Sequence, residues 1–69
     1  MKLLTPEERR RLVQRVFWCG TREQLRAVEQ EIATTYAATP AQREANADEL
    51  EWLRSVVTAR RLHVGRGAD

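Results

Sequence analysis

One thiol and one imidazole, Cys19 and His63, are the only groups of their kinds in this 69-residue chain. They lie on separate stretches with no fixed relation, so a nucleophile–base pair would need a coincidence of packing. Cys19 falls near the end of an expected helix, where the dipole disfavours a thiolate, and it reads as a small buried core residue. One Cys and one His also fall short of a structural zinc set, and neither has a second copy at ligand spacing. Glu44 and Asp48 stand one helical turn apart, with Glu51 and Ser55 continuing that polar face. Paired acid–base work would need the face buried, and the residues around it favour water. Gly20, Gly65 and Gly67 occupy helix ends or the tail, so no loop is built to cradle phosphate. The expectation is a non-catalytic protein with no cofactor, no metal site and no small-molecule substrate.

Arginine is the reactive type present in quantity. Eleven of the twelve basic residues are arginine, with Lys2 the exception, a usage associated with GC-rich bacterial or phage genomes. Net charge is only +2, but residues 1–26 carry +4, residues 27–51 carry −5 and residues 52–69 carry +3. That basic–acidic–basic layout suits self-association or a charged protein partner better than continuous phosphate tracking. Arg9, Arg10, Arg11 and Arg15 form a basic patch on the first expected helix, the surface a nucleic-acid-binding or transcription-regulating protein would use. The first two helices around Gly20 are superficially similar to a helix-turn-helix, but the resemblance fails in detail. Arg26 stands where the second helix of that motif tucks an aliphatic, and Val16 stands where a small residue precedes the turn. Glu23, Glu29 and Glu31 oppose Arg22 and Arg26 on the would-be recognition helix.

The elements that must position these residues announce themselves by their starts. Thr5-Pro6-Glu7-Glu8, Thr21-Arg22-Glu23-Gln24 and Thr39-Pro40-Ala41-Gln42 each place a hydroxyl cap three residues before a Glu or Gln, and two add proline at the first helical position. They predict an all-α fold of three helices over about residues 6–19, 22–38 and 40–63. Gly20 is the expected left-handed stop of the first helix and Gly65 that of the third. On the first helix Leu12, Val13, Val16, Phe17 and Cys19 share an expected core face, with Trp18 off it. On the second, Leu25, Val28, Ile32 and Thr35 form a narrow seam with Tyr36 beside them.

The third helix organises the rest. About 24 residues would span roughly 36 Å. Leu50, Leu53, Val57 and Val64 form one stripe, and Ala41, Ala45, Trp52, Val56 and Ala59 an adjacent one. Glu49, Gln42 and Arg60 fall between them, predicting either a wet seam between two contact faces or one three-helix core closed by both stripes. The short link at Thr39-Pro40 predicts that helices two and three form an antiparallel hairpin. Residues 1–64 read as a single domain and 65–69 as a flexible tail.

A core this small rarely supplies more than about 3 to 5 kcal/mol, so a homodimeric bundle or a protein partner is expected. No apolar run approaches a membrane span, and Leu3 and Leu4 are followed by charge, so a cytoplasmic setting is expected. Trp18, Ala45, Trp52, Val56 and Ala59 are the candidate interface anchors, rimmed by Arg11, Arg15, Arg60 and Arg61. In size and class the chain resembles the short helical antagonists that phages and bacteria use against a host regulator or enzyme. The resemblance implies an adaptor or inhibitor that docks on a larger protein.

Overall fold

The computed structural model describes the backbone of residues 2–68 and the side chains of residues 2–64. Four helices follow one another: α1 (Pro6–Trp18), α2 (Arg22–Tyr36), α3 (Pro40–Ala45) and α4 (Ala47–Ala68). All three start signals act as read. The Thr5, Thr21 and Thr39 hydroxyls accept from the amides of Glu8, Gln24 and Gln42 at 3.2, 3.1 and 3.1 Å. Gln24 and Gln42 reach back past the caps to the amides of Gly20 and Ala38 at 2.7 and 2.8 Å, one residue before the position a capping box uses.

Cross-helix pairs fix the topology. Arg15 pairs with Glu31 and Tyr36 with Glu8, so α1 and α2 run antiparallel. Arg61 pairs with Glu29 on α2, making α4 antiparallel to it. Arg9 pairs with Glu49 and Arg60 reaches the Cys19 carbonyl, so α4 runs parallel to α1. Leu12 and Val16 of α1, Leu25, Val28, Ile32 and Tyr36 of α2, and Leu53 and Val57 of α4 share one core, with Leu4 and Cys19 at its ends.

The single long helix expected over 40–63 is instead two, because the chain breaks at Asn46. That residue has φ −102° and ψ 12°, and turns its amide inward. Its Oδ1 accepts from the Leu4 amide at 2.9 Å, and its Nδ2 donates to the Lys2 and Tyr36 carbonyls at 3.2 and 3.0 Å. Gln42, one turn earlier, donates to the Lys2 and Thr35 carbonyls at 3.0 and 2.7 Å. With 6% and 3% of their surface exposed, Gln42 and Asn46 form a sealed polar clamp joining the N-terminal segment, the end of α2 and the start of α4.

Other expectations change with it. Where a wet seam was one reading of Gln42, Glu49 and Arg60, the structure buries Gln42 and docks α1 against the other two, closing a single core. Gly20 is not left-handed, since no described residue has positive φ; α1 ends with the Cys19 amide bonded to the Val16 carbonyl at 3.1 Å. Phe17 projects from the expected core face into solvent, and α2 stops at Tyr36. The long helix continues past His63, to Ala68. The flexible tail expected over 65–69 lies outside the residues whose side chains are described.

Candidate functional site

The nine residues read as a protein interface fall on separate surfaces of the bundle. Arg9, Val13 and Phe17 follow one another at turn spacing along the edge of α1 beside α4. Trp52, Val56 and Ala59 follow at turn spacing on α4, beside that edge. Trp52 is 47% exposed, Ala59 and Phe17 are exposed, and Val56 is partly covered. The Arg9 guanidinium lies 4.9 Å from the Trp52 ring centre and its Nη1 donates to Glu49 Oε2 at 2.6 Å. The guanidinium stacked on one face of the ring is held in turn by a carboxylate, a contact that favours this orientation of the indole.

Trp18 stands elsewhere. It is 85% exposed on the outer side of α1, beside an open cleft of about 580 Å³ between α1 and α2 that Arg11, Arg15 and Ala27 also line. Arg15 spans that cleft to Glu31, and the bond holds the Glu31 carboxyl below its ordinary range and raises the arginine. Arg61 belongs to a third surface, a groove of about 980 Å³ between α2 and α4. Ala45 is exposed at the end of α3. Arg60 is a structural clamp, its Nε and Nη2 donating to the Cys19 carbonyl at 3.2 and 3.0 Å and capping the end of α1.

The basic patch is partly spent inside the fold. Arg9 is committed to Glu49 and Trp52, and the exposed Arg15 to Glu31, leaving Arg10 and Arg11 as the exposed members outside the described ion pairs. Cys19 is buried, its thiol donating to the Arg15 carbonyl at 3.2 Å, while His63 is exposed on α4. Among the described residues no cluster of three or more His, Cys, Asp or Glu could hold a metal ion, and no helix is long and apolar enough to cross a membrane.

Near the N-terminal end, Tyr36 donates to Glu8 beneath the Lys2 ammonium, which lies 5.7 Å from the ring centre. The tyrosine hydroxyl holds the Glu8 carboxyl below its usual range. Burial, helped by the Glu8 charge, pushes the Tyr36 hydroxyl up to about 12.

No protein-family model, no curated protein and no solved structure matches the chain. The surfaces must therefore be read from their own chemistry. Sequence reasoning missed the exposure of Phe17 and the α2/α4 groove. Part of the groove's wall was visible as Glu44, Glu51 and Ser55 on the polar side of the third expected helix, but read only as a solvated face.

Proposed function

We propose that this chain is a small, non-catalytic adaptor or inhibitor, homodimeric and cytoplasmic, that docks on a larger protein and modulates it. The observation that carries this reading is the Phe17–Trp52–Val56–Ala59 face, an aromatic and aliphatic patch whose indole is oriented by the Glu49–Arg9–Trp52 stack. Interfaces concentrate their binding energy in such aromatic anchors ringed by polar side chains. Nucleic acid is the weaker partner, since half of the basic patch is already neutralised by Glu49 and Glu31.

The test is affinity capture from lysate of the source cell, with and without nuclease, using the parent and Trp52→Ala. A defined protein retained in both nuclease conditions, with binding weakened by about 2 kcal/mol in Trp52→Ala at unchanged helical content, supports the proposal. Capture that vanishes with nuclease, or that ignores Trp52, overturns it.

A further inference from the structure

The groove between α2 and α4 has an apolar floor that includes Ile32 and Leu50 and walls that carry both charges. Along α4 Glu51 comes before Arg54 and Arg61, with Arg43 and Glu44 on α3 at one end of the groove and Glu29 on α2 beside Arg61 at the other. Among the described residues Glu44, Glu51 and Arg54 make no intramolecular ion pair, and all three are exposed. On α4, Ala47, Glu51, Arg54, Thr58 and Arg61 fall at spacings of four, three, four and three, a single stripe along the groove's wall.

We infer that a second copy of this chain covers this groove, its α4 lying antiparallel to the first across a two-fold axis midway between Glu51 and Arg54. The inference gives a geometry to the self-association proposed above and is independent of what binds the Trp52 face. Reversal about that axis sets Glu51 against Arg54 of the second copy and Ala47 against Thr58, while Glu44 lies on α3, beyond the break at Asn46. Both charges nearest the axis meet their opposites, and the pair occurs twice, as an isologous interface requires. Between them the small Ala47 and Thr58 let the two helices approach closely.

The register is specified as well as the direction. Sliding the second copy by three residues one way sets Glu51 against Glu51, and the other way sets Arg54 against Arg54. A parallel alignment would stack like on like throughout. Arg61, further along the stripe, already donates to Glu29 of its own chain. The paired strip of α4 from 47 to 58 is about 17 Å long, within the 38 Å length of the molecule. Exposed ion pairs add little affinity one by one, so their part is to choose the alignment of the two helices.

Sedimentation equilibrium on the full chain, with circular dichroism alongside, tests this. The parent is expected to dimerise. Glu51→Arg, which sets arginines against each other across the axis, is expected to raise the dissociation constant about tenfold or more, and Arg54→Glu to do the same. The double reversal, Glu51→Arg with Arg54→Glu, is expected to restore the dimer to within about threefold of the parent, because both pairs re-form inverted. If one single reversal loses helical signal, the other carries the test. A parent that stays monomeric, single reversals that dimerise like the parent, or a double reversal that fails to recover each overturn the inference. Loss of the dimer on Trp52→Ala, with the charge reversals silent, overturns it in favour of the aromatic face. A monomer that still captures its partner through Trp52 overturns the dimer, here and in the proposed function, and leaves the docking on a larger protein standing.

Discussion

The two ends of the bundle treat their side chains in opposite ways. At the α3 corner, Gln42 and Asn46 satisfy five backbone groups, from Lys2, Leu4, Thr35, Tyr36 and Ala38, in a space closed to water. At the far end Arg60 caps the Cys19 carbonyl, but Phe17, Trp18 and Leu62 all project into solvent. A small core cannot be tight everywhere. This chain concentrates directional bonding at one end, while three of its five described exposed large apolar side chains stand at the other, with Leu3 beside the corner and Trp52 early on α4. The comparison teaches that the side chains that fasten the corner are not the ones left exposed, so each set can be altered with little effect on the other.

The largest effect should come from the corner. Asn46→Ala strands the Leu4 amide and withdraws a donor from the Lys2 and Tyr36 carbonyls. It is expected to cost about 3 kcal/mol in urea denaturation, a large share of what a domain this size possesses. A loss below about 1 kcal/mol would break the comparison, because the corner would then be no tighter than the open end.

Tyr36→Phe is expected to cost less, about 1 kcal/mol, and to reshape the pH dependence. The Tyr36 hydroxyl, at about 12 in the fold against an ordinary 10.0, contributes stability that is present below about pH 10 and lost as pH rises toward 12. The Glu8 carboxyl, lowered in the fold, contributes stability present above its unfolded value and lost as pH falls through its folded one. Thermal melts of Tyr36→Phe across both windows should show a flatter alkaline limb than the parent and a weakened acid limb. Unchanged limbs would remove the Tyr36–Glu8 bond from the account of the corner.

The smallest effect belongs to the open end. Trp18→Ala is expected to change stability by less than about 0.5 kcal/mol, since an exposed side chain forfeits little on truncation. A melt that falls by several degrees would show that Trp18 covers the α1/α2 cleft and that the open end is structural after all.

What could be read from sequence was what is local. The three threonine caps, the tight Gly20 link and the core stripes depend on residues three or four apart, and each helix starts where its signal placed it. Gln42 was legible as a cap residue, and that half of its role is met at the Ala38 amide, one residue before the cap. Its other half, and Asn46's role, depends on Thr35 and Tyr36, 7 and 10 positions away across a helix end, and on Lys2 and Leu4, 40 to 44 positions away, which no local pattern encodes. The one available signal was a poor helix former between Ala45 and Ala47 in the middle of a favourable run. Phe17 was misplaced because helical phase alone leaves the edge of a face undecided, and α1 settles against α4 through Arg9 and Val16. The candidate interface was visible as residue types, but its division over three surfaces follows from how the helices pack.

The bond from the Leu4 amide to Asn46 spans 42 positions. On a growing chain Leu4 is made that many residues before the side chain that holds it, and the corner cannot close until α1 and α2 have both been completed. Closing so long a loop costs entropy that only the finished bundle repays. The earliest of the described segments to be synthesised is thereby among the last to be fixed, and its fastening serves as a check that everything between has folded.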